Sequence, residues 1–408
     1  MPEASRGGGV AIRSSPRILL LAHRPLTDAD FGGGQRTSHI RTAAADIGDV
    51  DTLVIMTDVT PHWARGWDAQ RTMTLAGRSG KRAGALLDHL RVRRRVREVL
   101  ESTQYDVVIA RYLSAGLTVP RRYRDRLILD ADDILKTPSR SESGWRGALA
   151  VGRSAVRGAL LRSLVGQVGH VWFVNARDLT TLGPLARDAS LLPNAAIAYD
   201  AQGGSREPDS LMIVGHYAHA PNREAVEFLL DGVLPGLREK RPEVVLRIVG
   251  SVPPHCGDTW ASVPNVQVLG FVEDLGAEYA RTALAVAPVH SGGGTQIKLI
   301  EALANGCPTV ASPFAYAGFS HTVEADRHLY VAGSTQEWID TCLKAFDDSA
   351  RSEAMAEAAA NVVRSVYGVD AMQERVRRVL LTFLGDAGTQ SIATEPAAIR
   401  QSERRSCP

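Results

Sequence analysis

Residues 292–312 read GGGTQIKLIEALANGCPTVAS and follow a short apolar run, AVAPV, at residues 285–289. The apolar run predicts a buried strand, and the three glycines allow the backbone to approach a ligand closely. Apolar residues then recur at helical spacing, and Gly306 and Pro308 end the pattern in the order expected of a helix terminus. The stretch therefore predicts a strand, a glycine loop and a helix whose unpaired N–H groups favour an anion.

Lys298 and Glu301 lie three residues apart and therefore share one face of this helix. Glu301 lies about 9 Å along the helix axis from Thr295, which is comparable to the separation of a diphosphate from its ribose. Two interpretations follow. Either the loop and Lys298 hold phosphates while Glu301 accepts hydrogen bonds from ribose hydroxyls, or Lys298 and Glu301 form a solvated pair on the helix surface.

The same stretch resembles the nucleotide-sugar signature of retaining glycosyltransferases of family 4. The matching subgroup has the motif Gly-x-Gly-Thr-x-x-Lys-x-x-Glu-Ala-x-Ala-x-Gly-x-Pro-Val. Many relatives carry a second glutamate eight positions before the one matched by Glu301, and Gly293 stands there in this chain. The resemblance implies a nucleoside diphosphate sugar donor and no metal or other cofactor. It assigns the donor to Gly293, Gly294, Thr295, Gln296, Lys298 and Glu301, with Lys298 and Glu301 also acting in catalysis.

The chain has 408 residues, 44% of them hydrophobic, and is long enough for two cores. Strand and helix patterns alternate in both halves, which predicts two doubly wound parallel sheets. The resemblance implies the α/β GT-B architecture, in which two Rossmann-like domains face a central cleft. We expect a flexible N-terminus at 1–14, an acceptor-binding domain at 15–205, a nucleotide-sugar-binding domain at 206–370, a helix at 371–385 that packs back on the first domain, and a disordered tail at 386–408.

The first half begins with a predicted strand at 17–22, a glycine loop at 31–36 and a helix at 37–47. The resemblance places Gly33 and Gly34 of this loop beneath the donor phosphates or the acceptor. Further strands are predicted at 107–111 and 127–130, and polar residues stand at their carboxyl ends. Arg111, Asp130 and Asp133 are predicted to contact acceptor hydroxyls, and Asp132 is the candidate catalytic carboxylate. The alternative for the aspartates is an N-cap of the next helix.

Three further residues of the second half are candidate donor contacts. Family members often have an Arg and a Lys after the first strand of this domain, but here Gly215 is followed by His216, and Arg223 stands near the position of the lysine. Lys298, helped by Arg223, would then carry more of the charge of the diphosphate. His290 precedes the glycine run and either contacts the donor or packs within its loop.

Four cysteines occur, without the spacing of metal ligands, which indicates a reducing compartment and no structural metal. The apolar run at 18–22 is too short for a membrane span or a signal peptide. We therefore expect a cytoplasmic protein.

The net charge is only +2, but residues 1–200 contain 29 Lys and Arg against 20 Asp and Glu. Residues 146–165 predict an amphipathic helix with arginines between its apolar positions. This helix either rests on anionic lipid at the cytoplasmic face of the inner membrane or has a solvated basic face. Nucleic acid is disfavoured as a partner because aromatic residues are not interleaved with the arginines.

Together with these patterns, the resemblance implies a retaining transferase that moves a sugar from a nucleoside diphosphate sugar to a sugar or lipid-linked acceptor, in the synthesis of a bacterial cell-envelope polysaccharide, exopolysaccharide or glycolipid. Two alternatives stay open: a sugar-nucleotide epimerase of the same fold, and a non-catalytic subunit that binds a nucleotide sugar. An NAD-dependent oxidoreductase is disfavoured because no Gly-x-Gly-x-x-Gly follows the first strand.

Overall fold

The computed structural model describes residues 15–22, 32–56, 72–76, 82–132, 156, 158–199, 205–291 and 296–385. They fall into two compact units, the first built mainly from residues up to Asp130 and the second mainly from Val171 to Glu374. The domain limits expected from the sequence stay predictions. The expected flexible N-terminus and disordered tail lie outside the described residues.

Two sheets organise the chain. The first has the strand order β3-β2-β1-β4-β5-β6-β7, and the second has the order β10-β9-β8-β11-β12-β13. Each pairing whose register is described is parallel. The strands are β1 (Arg17–Ala22), β2 (Asp49–Met56), β3 (Thr72–Ala76), β4 (Val107–Arg111), β5 (Leu127–Ala131), β6 (His170–Phe173), β7 (Ala189–Leu191), β8 (Glu207–Val214), β9 (Val245–Val249), β10 (Val266–Gly270), β11 (Thr282–Ala287), β12 (Thr309–Ala311) and β13 (Tyr330–Val331).

Both sheets thus contain the 3-2-1-4-5-6 order of a doubly wound Rossmann-like domain, as the sequence predicts. The flanking helices are α1 (Gly32–Ala45), α2 (Arg82–Ser102), α3 (Tyr112–Gly116), α4 (Ala176–Leu182), α5 (Ala220–Phe228), α6 (Leu234–Lys240), α7 (Pro254–Ala261), α8 (Leu275–Arg281), α9 (Ile297–Ala304), α10 (Pro313–Ala317), α11 (Thr335–Asp347), α12 (Ser349–Tyr367) and α13 (Val369–Gly385). A π-helical turn, Leu229–Val233, joins α5 to α6.

The central strands are nearly continuous apolar runs. In β1 every residue from Ile18 to Ala22 is fully buried, and β4 is buried along its whole length. Parallel strands covered by helices on both faces have this composition, because neither face meets water. The same continuous apolar runs allow these strands to be predicted from the sequence.

The start of α1 differs from the sequence-based expectation. The glycine loop predicted at 31–36 is helical from Gly32 onward, so Gly33 and Gly34 lie in the first turn of α1 and the predicted helix at 37–47 begins five residues too late. Glycine is among the residues that occur at the N-terminal boundary of helices, so these glycines are compatible with a helix that starts here. Arg36, whose side chain is buried, anchors this end of the helix.

The C-terminal half of α13 packs within the first unit. Arg377 Nη1 lies 2.7 Å from Asp46 Oδ2. The ring of Phe383 packs against Gly169, where an added Cβ would meet the ring at 2.5 Å. Residues from Arg375 onward are therefore part of the first compact unit.

Only the end of the predicted amphipathic segment at 146–165 is described, and residues 158–165 are helical. Leu161 and Leu164 are buried, whereas Val156 and Leu160 are exposed. In the described part of the chain, no helix is both long enough and apolar enough to span a bilayer.

Candidate functional site

The candidate site lies at the carboxyl ends of the strands of the second sheet, where Gly215 follows β8, Gly250 follows β9 and Gly270 ends β10. The N–H of Gly215 donates to the carbonyl of Val249 at 3.0 Å, and the N–H of Gly250 donates to the carbonyl of Gly270 at 2.7 Å. Gly250 has φ +117°, and a Cβ there would lie 2.0 Å from the carbonyl oxygen of Gly215. Only glycine fits this position, so the three turns pack backbone to backbone at the sheet edge where doubly wound folds bind ligands.

Helix α9 follows β11 and has its first turn at the same edge. Leu299, Ile300, Leu303 and Ala304 are fully buried, so the helix packs into the core on several sides. Its first turn is only partly covered, with Gln296, Ile297 and Lys298 half-buried. Gly293, Gly294 and Thr295, the predicted phosphate contacts before this turn, lie outside the described residues.

Lys298 has a neutral partner. Its Nζ donates to the side-chain oxygen of Asn222 at the start of α5, and Asn222 Nδ2 in turn donates to the carbonyl oxygen of His216 at 2.9 Å. No carboxylate of the described residues forms an ion pair with Lys298. Burial lowers the pKa of Lys298 to about 8. A desolvated ammonium without a counter-ion is a favourable place for an anion.

Glu301 is buried one turn later on the same helix, with 8% of its surface exposed. The hydroxyl of Tyr199 donates to Glu301 Oε1 at 3.2 Å. Burial raises the pKa of Glu301 to about 7, although the hydrogen bond from Tyr199 acts in the opposite direction. Because Glu301 is buried and the two side chains have different partners, Lys298 and Glu301 are not a solvated surface pair.

Asn305, at the end of α9, fixes the segment that carries Tyr199. Its Oδ1 accepts a hydrogen bond from the N–H of Tyr199 at 2.8 Å, and its Nδ2 donates to the carbonyls of Ile197 and Glu301, each at 2.8 Å. Roles for Asn222, Tyr199 and Asn305 were not predicted from the sequence. Asn305 stands at a variable position of the motif, and nothing in the local sequence connects Tyr199 with a helix about 100 residues later.

The remaining donor candidates lie around the same edge. His216 and His290 are exposed, and the ring of His290 packs edge-on against Phe228 at 5.0 Å between centroids. The guanidinium of Arg223 donates to the carbonyls of Tyr217 at 2.9 Å and Ala218 at 2.8 Å. Arg223 therefore braces the turn between β8 and α5.

A small cavity lies beneath Lys298, and its lining includes Val214, Tyr279 and Ala302. The hydroxyl of Tyr279 is buried and has no hydrogen-bond partner among the described residues. Burial raises the pKa of this phenol well above its ordinary value, and the nearby Glu301 adds to the effect. The inner side of the site is therefore apolar apart from these few polar atoms.

In the first unit, the predicted acceptor residues Arg111 and Asp130 form a buried cluster with Arg36. Arg36 Nε and Nη2 donate to the two carboxylate oxygens of Asp130 at 3.0 and 2.7 Å, Arg111 Nη1 also donates to this carboxylate, and Arg111 Nε donates to Thr37 Oγ1 at 3.0 Å. Burial alone would raise the pKa of Asp130, but Arg36 and Arg111 outweigh it and leave this pKa below the ordinary value. An acceptor would reach Arg111 or Asp130 only if the cluster opened.

Asp132 follows β5 directly and is half-buried. Asp133 lies outside the described residues. Gly34 is buried in the first turn of α1. A role for Arg36 was not predicted from the sequence, although it stands two residues after Gly34.

Residues 208–348 match the family described as glycosyl transferases group 1. No curated protein sequence matches the chain. The fold is similar to sucrose-phosphate synthase from Thermosynechococcus elongatus, with TM-score 0.69, 12% identity, and coverage of 91% of this chain and 100% of that one. It is also similar to HepE from Anabaena in complex with UDP, with TM-score 0.62, 15% identity and coverage of 90% and 100%.

A further similar structure is WaaG, a glycosyltransferase involved in lipopolysaccharide biosynthesis, with TM-score 0.61, 15% identity and coverage of 89% and 99%. At these identities the structural likeness concerns the fold, and the matched segment contains the whole of α9 and the sheet edge described above. The chain therefore has the GT-B fold of these glycosyltransferases, and its residues 208–348 match the family of glycosyl transferases group 1.

Proposed function

We propose that the chain is a family 4 enzyme that transfers a sugar from a nucleoside diphosphate sugar to an acceptor hydroxyl, with retention at the anomeric carbon. The observation that carries the proposal is the pair of desolvated groups on the first turns of α9, Lys298 with its pKa near 8 and Glu301 with its pKa near 7. Both groups carry a desolvation cost that a bound nucleotide would offset.

Lys298 would hold the diphosphate, together with Gln296 and the backbone of Gly293, Gly294 and Thr295. In the transfer, the bond between the anomeric carbon and the phosphate oxygen breaks while the acceptor oxygen bonds to the same carbon. The departing phosphate takes the acceptor proton, and Lys298 stabilises the charge that develops on it. A metal ion is not required in this scheme, because Lys298 and the N–H groups supply the positive field.

Glu301 would accept hydrogen bonds from the ribose, and His216, Arg223 and His290 would lie near the phosphates and the sugar. Asp132 would orient the acceptor. The complex of HepE with UDP supports a nucleoside diphosphate donor. WaaG, with its part in lipopolysaccharide biosynthesis, supports an acceptor in a bacterial cell-envelope polysaccharide, exopolysaccharide or glycolipid.

We place the enzyme in the cytoplasm, at the surface of the inner membrane. The excess of arginine in the first half and the exposed Val156 and Leu160 support contact with anionic lipid.

The first test is calorimetric titration of the protein with UDP, GDP and dTDP and their sugars, without added metal. Glu301→Gln removes the carboxylate and keeps the size, so we expect affinity for one nucleotide to fall at least tenfold, as for the loss of a hydrogen bond to a charged group. The matched control is Glu239→Gln on the exposed face of α6, which should bind like the wild type. Absence of binding to every nucleotide, or equal affinity in Glu301→Gln, contradicts the proposal.

A non-catalytic nucleotide-sugar-binding subunit is the second candidate. The absence of the Arg and Lys pair after β8 favours it. The two functions differ in turnover, because a transferase releases nucleoside diphosphate in the presence of acceptor and a binding subunit does not. Isomerised sugar formed without acceptor would instead identify an epimerase.

A further inference from the structure

The carboxylate of Glu301 is held from outside its own helix. The hydroxyl of Tyr199, which precedes Glu301 by 102 residues in the sequence, donates to Oε1 at 3.2 Å. Asn305 fixes the segment that carries Tyr199 through hydrogen bonds at 2.8 Å to the N–H of Tyr199 and to the carbonyl of Ile197. The same amide bonds the carbonyl of Glu301 itself.

Tyr199 also packs against the start of α8. A Cβ added to Gly276 would lie 2.5 Å from the Cβ of Tyr199, so Gly276 is the residue that allows this close packing. Tyr199 is therefore held at three points: its Cβ packs against α8, its backbone N–H donates to Asn305, and its hydroxyl donates to Glu301. A glutamate side chain that is held in one rotamer loses little further freedom when a ligand binds.

We propose that Tyr199, anchored by Asn305, is a positioning residue that orients the Glu301 carboxylate toward the two ribose hydroxyls of the donor, and that it makes the site selective for ribonucleotides over 2′-deoxyribonucleotides. The inference rests on the proposed donor site and deepens it.

The chemistry of the carboxylate supports this assignment. An ionised carboxylate has about four acceptor positions on two oxygens, and Tyr199 uses one position on Oε1. Oε2 and the rest of Oε1 stay available to neighbouring hydroxyls. A ligand that lacks the 2′-hydroxyl leaves part of a buried, oriented acceptor without a partner, which is costly because water cannot easily replace the missing donor.

The titration of Glu301 allows an independent readout. Tyr199 faces Glu301 directly. Its hydroxyl donates to Glu301 and thereby lowers the pKa of this carboxyl. Removal of the Tyr199 hydroxyl should therefore raise the pKa of Glu301 and move the acid limit of ribonucleotide binding to higher pH.

The experiment compares wild type, Tyr199→Phe, Asn305→Ala and the control Tyr316→Phe, a half-buried tyrosine on α10. The probes are UDP with 2′-deoxy-UDP and GDP with 2′-deoxy-GDP, titrated by calorimetry, together with UDP-glucose and GDP-mannose titrated across the acid range. Circular dichroism and a thermal melt check that each variant is folded.

We expect the preference for the ribonucleotide to fall about fivefold in Tyr199→Phe, the typical net effect of one hydrogen bond, and the acid midpoint of binding to rise. Asn305→Ala should shift both in the same direction, and Tyr316→Phe should match the wild type. An unchanged preference and midpoint in a folded Tyr199→Phe, or a wild type without any preference, overturns the inference while the donor site stands. A wild type that binds none of the nucleotides overturns the donor site itself.

Discussion

Lys298 Nζ donates to the side-chain oxygen of Asn222, which stands 76 residues earlier at the start of α5. This contact ties the first turn of α9 to the turn that follows β8. Asn222 is neutral, so the hydrogen bond orients the ammonium without neutralising its charge. A half-buried, partly desolvated positive charge therefore lies at the point where a diphosphate would bind, and it affects stability as well as binding.

Replacement of Lys298 by Met should abolish nucleotide binding without harming the fold. The folded pKa near 8 lies below the unfolded value of 10.5, so the charged lysine costs stability below about pH 8, and the cost disappears as the pH rises to 10.5. We expect the free energy of unfolding at neutral pH to stay equal or to rise by about 1 kcal/mol. The gain is small because solvent screens the charge of the half-buried lysine, so methionine removes only a small desolvation cost. Urea unfolding of wild type and Lys298→Met at neutral and alkaline pH measures whether the substitution raises or lowers the free energy of unfolding.

The matched control is Lys240→Met, at the exposed C-terminal end of α6. There a positive charge interacts favourably with the helix terminus, so its loss should lower stability by a few tenths of a kcal/mol. A clear loss of stability in Lys298→Met would show that Lys298 is a structural residue rather than an anion site.

Donor affinity should have a maximum between about pH 7 and pH 8. Glu301 must be ionised to accept from the ribose, so affinity falls as the pH drops below about 7. Lys298 must be protonated to hold the phosphates, so affinity falls as the pH rises above about 8. Nucleoside diphosphate sugars suit this measurement because their diphosphate diesters do not titrate in this range.

The two limbs of this profile should involve opposite proton transfers. Calorimetry in buffers of different ionisation enthalpy should record proton release on the acid limb, where Glu301 loses its proton to bind ribose, and proton uptake on the alkaline limb, where Lys298 gains one. A flat profile, or uptake at both ends, would contradict these roles.

Much of this fold follows from local sequence patterns. Continuous apolar runs such as Ile18–Ala22 predict buried parallel strands, and Gly306 and Pro308 mark the end of α9. The same patterns place Lys298 and Glu301 on one helix at a sheet edge. The strands β12 and β13 were not predicted, because segments of three and two residues are too short to show a periodic pattern.

The partners of the site residues could not be predicted, because they come from distant parts of the chain. Tyr199 meets Glu301 across 102 residues, and Arg36 meets Asp130 across 94. No local period encodes such a contact. The burial of Arg111 and Asp130 could not be predicted either, because charged residues are usually exposed and the ion pair between these two is not visible in the sequence.

Replacement of Asp130 by Asn should destabilise the first unit strongly. The change leaves Arg36 and Arg111 without the carboxylate that both of them contact, and disrupting a buried ion pair costs about 3 kcal/mol. Because the folded pKa of Asp130 is depressed, its stabilising contribution is complete above about pH 3.8 and is lost as the pH falls further. The difference from wild type in urea unfolding should therefore narrow in acid.

Asp46→Asn is the control, since Asp46 forms a partly exposed pair with Arg377. Its loss should cost no more than about 1 kcal/mol. If Asp130→Asn unfolds like the control and changes only the acceptor kinetics, then Asp130 is an acceptor residue and the cluster opens during catalysis.

Replacement of Gly250 by Ala should disrupt the sheet edge that carries the site. Gly250 has φ +117°, and the added Cβ would lie 2.0 Å from the carbonyl oxygen of Gly215, which is backbone and cannot rotate away. We expect a loss of about 2 kcal/mol or more in unfolding free energy and a parallel loss of nucleotide affinity, because the turns after β8 and β9 must separate.

Gly257→Ala in α7 is the matched control. Its Cβ would meet only a methyl group of Val252 at 3.7 Å, and alanine favours the helix, so stability should rise by about 0.5 to 1 kcal/mol with binding unchanged. Thermal melts and nucleotide titrations of the two variants decide the matter, and equal behaviour of Gly250→Ala and Gly257→Ala would show that the backbone contact between the two turns is not needed.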